Sequence, residues 1–175
     1  MQTSVVFEGP AGLAHETGTV RFVGAAGEDV VAAARREVDA GADRIELCGG
    51  LGPVPHAAVR NALDGEAGVG AVMYGFESLE ATTAFKQRFA AGEALRMAFL
   101  YSGGGDRVDR VADLGTSFVA VDGPEGAAAT AAALVAEGVT LLELYAGLGP
   151  EVAAAVATAV DGRAAVGLAL YPSAG

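Results

Sequence analysis

Hydrophobic and polar positions divide the chain into short apolar runs and longer Ala-rich stretches of helical period. The runs predict strands at 4–9, 19–25, 44–50 and 68–75, then at 96–102, 117–122, 141–147 and 164–172. Between them, residues 28–42 (EDVVAAARREVDAGA) and 125–139 (EGAAATAAALVAEGV) read as helices. Each has Glu in its first turn and Gly at its close. Shorter helices are expected from Pro53 and Pro150, because proline suits the first helical position. Residues 76–92 predict a linking helix through Leu79, Thr83, Phe85 and Phe89, and residues 105–115 a short helix.

The pattern repeats. RIELCGGLGP (44–53) returns as LLELYAGLGP (141–150), so that Glu46 matches Glu143, Pro53 matches Pro150 and Tyr74 matches Tyr171 at a constant offset of 97. From Thr19 to Tyr74 about two positions in five are identical to their counterparts. Each half reads as β-β-α-β-α-β, and a period of this kind sets the fold class before any single residue does.

Strands alternating with helices imply parallel pairing and right-handed crossovers. Eight of them in two matching sets predict an α/β fold, a compact, minimal (βα)8-like barrel of the TIM type made of two half-barrels. The alternative is an open or sandwiched α/β pseudo-dimer of two four-stranded halves, with an antiparallel first hairpin. The expected organisation is a single domain: 1–75 as first half, 76–95 as linking helix, 96–175 as second half. Such a barrel would lack its first and eighth helices, and the bare flank predicts a homodimer.

Composition narrows the function classes. Eleven basic against 22 acidic residues give a net charge of −11, which argues against binding nucleic acid phosphates or anionic membranes. The chain is 52% hydrophobic, with a mean hydropathy of +0.40, yet no apolar run approaches the roughly 20 residues of a membrane helix. MQTSVVFEG lacks the basic start and apolar stretch of a secretion signal, and a cytoplasmic protein is expected. The single Cys excludes an internal disulfide. Metal-ligand spacing is absent, and neither G-x-G-x-x-G after a strand nor a phosphate-binding P-loop occurs, so no metal or cofactor is expected.

Candidate chemistry follows from the barrel. Alternation puts Ile45 and Leu47 on one face and Glu46 and Cys48 on the other. Glu46 and Glu143 would then point inward as acid–base carboxylates or as members of structural ion pairs, with Arg21 of the neighbouring strand as the partner of Glu46. Catalytic residues of such barrels lie at strand C-terminal ends, where Glu8, Cys48, Tyr74, Tyr101, Asp122, Tyr145 and Tyr171 fall. The tyrosines could donate to a ligand or plug the barrel mouth. Cys48, before a helix N-terminus, could be a nucleophile or a small buried hydrophobe. His15 and His56 read as surface or capping residues. Gly49, Gly50, Gly52, Gly147 and Gly149 could bring backbone amides to an anion at a helix start, or could serve only the turn.

Two resemblances bear on this. AGADRIELCGGLGP resembles, over about ten residues, the CutC-type copper homeostasis proteins, whose fold is a barrel. Over nearly the whole chain, in duplicate, the sequence is similar to small uncharacterised bacterial proteins with an FxF strand, then A…G.D.IELCGGFGP, then VPVGAV. That similarity implies kinship and no activity. With a single Lys86 and much Ala, Gly and Val, the composition suggests a high-GC bacterial source. The function expected is a small-molecule site at the strand C-terminal ends, serving a cofactor-independent lyase or isomerase. The alternatives are a non-catalytic small-ligand or metal-ion binding protein, or a filled barrel acting through its oligomer surface.

Overall fold

The computed structural model describes residues 1–18, 20–103, 108–111 and 115–172. It separates into two compact units, Met1–Met73 with Ala169–Gly175, and Tyr74–Leu168.

The first unit holds β1 (Thr3–Glu8), β2 (Ala14–Thr17), β3 (Val20–Ala25), α1 (Val30–Asp39), β4 (Arg44–Leu47), α2 (Pro53–Leu63) and β5 (Gly68–Tyr74, whose last residue belongs to the second unit). Its strands lie in the order β2-β3-β1-β4-β5. β1 pairs in parallel with both β3 and β4, β4 pairs in parallel with β5, and β2 closes the edge antiparallel to β3.

The second unit repeats this plan. It contains α3 (Leu79–Ala90), β6 (Arg96–Ser102), β7 (Val108–Val111), β8 (Thr116–Val121), α4 (Gly123–Ala136), β9 (Val139–Tyr145), α5 (Pro150–Val160) and β10 (Ala165–Leu170, in this unit as far as Leu168). The order is β7-β8-β6-β9-β10, parallel except for β7.

These pairings confirm the α/β class and overturn the (βα)8 barrel. A TIM-type barrel lines up its strands in chain order, all parallel, around a ring. Here the first strand of each half sits between the second and third parallel strands, and an antiparallel strand ends each row. Each half has five strands, not four. The homodimer expectation drew on the bare flank of that barrel and loses this basis.

Two short strands account for the difference. β2 lies in the stretch 10–18 that was expected to be a loop, and β7 lies within the segment expected as a helix, whose residues 105–107 and 112–114 are outside the described ones. Both are four residues long and at least half polar, too short to signal a period. They are strands because a neighbour pairs with them and a charge pins them. Glu16 stands opposite Arg21 and pairs with it, and Arg110 of β7 pairs with Glu137, beyond α4, at 2.7 Å.

The helix-facing side of the second unit shows what holds it together. Leu142 and Leu144 of β9, with Ala98 and Leu100 of β6, pack beneath Ala127, Ala131 and Leu134 of α4 and Val152, Val156 and Val160 of α5. The small residues one turn apart on α4 let it approach closely. Truncating either fully buried leucine to Ala would cost about 2–5 kcal/mol. At Gly115, in positive φ, an added Cβ would sit 2.1 Å from the Leu95 carbonyl oxygen, so only glycine fits.

Candidate functional site: two carboxylate–tyrosine clusters and a cleft

Alternation places Glu46 and Glu143 on the sheet faces away from these helices. Register confirms it in the first unit: Arg21 aligns with Ser4 and Ser4 with Ile45, whereas Glu46 aligns with Val5 and Gly70. Arg21 therefore shares the α1 face, where its Nε lies 3.1 Å from Glu37, which also accepts a 2.8 Å hydrogen bond from the Ser4 hydroxyl. The expected Arg21–Glu46 pair does not form, because β1 intervenes and the two side chains point to opposite faces.

Both glutamates are essentially buried, Glu46 at 1% and Glu143 at 2% exposure, so each needs polar partners. Tyr171 donates to Glu46 at 2.7 Å. Tyr74 and Tyr145 donate to the two carboxylate oxygens of Glu143. The tyrosines at the ends of β5 and β10 are thus exchanged between the repeats. Tyr74 of the first repeat belongs to the second unit, and Tyr171 of the second repeat to the first.

The room for these rings comes from glycine. Gly70 is in register with Glu46, and Gly167 with Glu143. A Cβ on Gly70 would lie 3.1 Å from both Tyr171 Cζ and the Leu170 carbonyl oxygen. These glycines and Arg44 are site residues that the sequence reading missed. The one available signal was the repeated V-G beside the repeated Glu.

The two clusters differ in their surroundings. The Arg44 guanidinium lies over the Tyr171 ring, 5.3 Å from its centroid, a cation–π contact. Burial, then the charge and hydrogen bond of Glu46, raise the Tyr171 phenol far above its usual pKa, and Arg44 offsets only part of this. Tyr171 therefore stays protonated, a donor and never a base at ordinary pH. Around Glu143 the neighbours are aromatic instead. Phe99, in register with it, meets Phe118 and Tyr145 edge to face at 5.7 and 5.4 Å.

The other expected site residues are dispersed. Cys48 is buried and its Sγ accepts the Glu8 amide at 3.4 Å. Tyr101 is buried at 3% exposure, while Asp122 is exposed at the start of α4. His15 is in β2, and His56 Nε2 lies 3.4 Å from the Val69 carbonyl oxygen. The two GLGP turns are built differently. Gly52 takes positive φ in the first copy, whereas Ala146 and Gly147 take it in the second. Glu151 brings its carboxylate oxygen within 3.1 Å of where a Gly149 Cβ would be, which puts a negative charge where an anion was expected. Among the described residues no three His, Cys, Asp or Glu side chains are grouped to hold a metal ion.

Beside the Glu46 cluster lies a cleft of about 610 Å³, at the end of α2 and the start of β5. Arg60, Asn61, Asp64, Gly68, Val69 and Tyr171 line it. It does not lie at the strand C-terminal rim, where Glu8 and Cys48 are found.

Two segments of the chain, residues 10–87 and 105–174, each match the family of unknown function DUF6506. The chain belongs to this family, as a tandem duplication of it. None of the curated proteins matches the chain, and the resemblance to CutC-type proteins gains no support. Among solved structures, it is similar to an ABC transporter system solute-binding protein from Aeropyrum pernix K1, at 13% identity and a TM-score of 0.29, over 92% of this chain and 58% of that one. It is also similar to a protein from Mycobacterium smegmatis, at 12% identity and a TM-score of 0.31, over 91% and 67%. The chain spans well under two thirds of the first of these. No helix among the described residues is long and apolar enough to cross a membrane.

Proposed function

We propose that this protein binds a small polar molecule in the cleft of its first unit, without turnover. The observation that carries this reading is the cleft itself, which has a tyrosine fixed in its wall. Its volume of about 610 Å³ suits a metabolite-sized ligand. The guanidinium of Arg60, the amide of Asn61 and the carboxylate of Asp64 supply donors and acceptors within one helical turn. Such a set favours a ligand that carries both an anionic and a cationic or donor group. Tyr171 is held in place by Glu46 and Arg44, so binding need not order it.

The acid–base alternative, a cofactor-independent lyase or isomerase, would use the Glu46–Tyr171 pair. Its support is the 2.7 Å contact of a buried carboxylate with a phenol. Against it, Glu46 is not on the cleft wall and Tyr171 keeps its proton, so neither member of that pair presents a base to a ligand.

Ligand-observed NMR against a panel of amino acids and small hydroxy acids tests the proposal. Binding that is lost in Arg60→Ala and Asp64→Asn, at unchanged melting temperature, is the expected result. Hits that bind both variants as well as they bind the original protein would sink it. Solvent deuterium appearing at a carbon of a bound compound would favour the acid–base alternative.

A further inference from the structure

Each cleft residue between the middle of α2 and the start of β5 has a counterpart in the second repeat. Asp64 and Gly65 recur as Asp161 and Gly162. All four take positive φ, and the two aspartates end α2 and α5 in the left-handed conformation. These residues serve the turn in both copies. Arg60, Asn61 and Gly68 do not recur, for Ala157, Thr158 and Ala165 stand in their places. Thr158 turns its hydroxyl back onto the Ala154 carbonyl of its own helix, at 2.8 Å. The repeat therefore folds without a guanidinium or an amide at these positions, yet the first copy has both on its cleft wall.

Arg60 is also uncommitted. Arg35, Arg88 and Arg110 each reach a glutamate at 2.7–2.8 Å. Among the described residues the side chain of Arg60 has no hydrogen-bond or ion-pair partner, and neither has that of Asp64. Residues four apart on a helix normally have Cβ atoms about 5–6 Å from each other and pair when oppositely charged. Here the left-handed turn at Asp64 carries the chain out of the helix, and the two charges are neighbours that do not meet.

We propose, resting on the binding reading above, that the ligand is a free α-amino acid, with its carboxylate on Arg60 and Asn61 and its ammonium on Asp64. Charge balance selects this class. The wall offers one cation and one anion, and a zwitterion answers both while adding no net charge. A phosphate ester would bring about two negative charges beside Asp64, and a hydroxy acid would leave the Asp64 carboxylate facing a hydroxyl. A single carbon separates the two charged groups of an α-amino acid, which suits two side chains one helical turn apart. In a peptide the charges stand farther from each other. Tyr171 shapes the cleft and adds no charge, since its phenol is bonded to Glu46 and its ring carries Arg44.

Calorimetric titration of the full chain tests this. The probes are the proteinogenic L-amino acids, together with the 2-hydroxy acid and the decarboxylated amine that match the tightest binder. The amino acid binds about tenfold or more tighter than either analogue, the loss expected for one charge-assisted contact. Arg60→Ala removes the advantage over the amine and keeps that over the hydroxy acid, and Asp64→Asn does the reverse. A hydroxy acid that binds as tightly as its amino acid, and is lost in Arg60→Ala, overturns the amino-acid assignment while the cleft stands as a binding site. Amino acids that bind both variants unchanged overturn the assignment and the cleft reading together. No binding by any amino acid also overturns the assignment, and the cleft reading then rests on the hydroxy acids alone.

Discussion

Glu46 and Glu143 hold the same place in the repeat and are buried to the same degree, yet they are satisfied differently. Glu143 has a phenol on each carboxylate oxygen and aromatic rings around it. Glu46 has Tyr171, whose ring carries Arg44 and forms part of an open cleft. Two substitutions separate the clusters: Leu141 replaces Arg44, and Tyr145 replaces Cys48. The first removes a cation from the tyrosine face. The second supplies the additional hydroxyl that closes the carboxylate off. One copy of the repeat has become a sealed structural joint, and the other keeps a polar wall towards solvent. Duplication permits this, because one copy can carry the packing while the other diverges.

The largest test of that contrast is removal of the carboxylates. Glu143→Ala leaves two phenols without their acceptor and should cost about 4 kcal/mol, at roughly 1.5–3 kcal/mol for each hydrogen bond to a charged group. Glu46→Ala leaves Tyr171 without its acceptor and should cost at least that one bond, about 1.5–3 kcal/mol. Urea unfolding of both variants measures the ratio, and equal losses would erase the distinction between joint and wall. Next in size is Gly70→Val, which places atoms against Tyr171 and the Leu170 carbonyl and should cost about 1–3 kcal/mol as overpacking. A neutral result would mean that Tyr171 can leave the glycine without loss.

The smallest effect is in pH. A phenol whose pKa is raised on folding contributes stability below the unfolded value, and that contribution is lost as pH climbs beyond it. Stability should therefore be level through neutral pH and fall above about pH 10, the ordinary tyrosine value, and Tyr171→Phe should flatten part of the fall. Melting temperatures measured from pH 7 to 11 check this. Identical profiles for the two proteins would show that Tyr171 titrates as if exposed.

Much of the fold was legible in the chain. The eight long strands lie close to where alternation put them, and α2 and α5 begin at the prolines that announced them. The repeat showed that whatever served Glu46 would have a counterpart at Glu143. Local pattern suffices for these because each depends on a few neighbouring residues. The edge strands β2 and β7 were not legible, since four residues, at least half of them polar, have no period of their own.

The sequence by itself determined an α/β chain made of one phrase stated twice, with a carboxylate in each statement. Only the tertiary structure decided the rest. Strand order is a long-range choice that no local period encodes, and it put β1 between β3 and β4. That one placement sent Arg21 to Glu37, left Glu46 on the opposite face and broke the barrel. The exchange of Tyr74 and Tyr171 between repeats was likewise decided in three dimensions, because a buried carboxylate takes the donor that packing brings to it, whichever repeat supplies that donor.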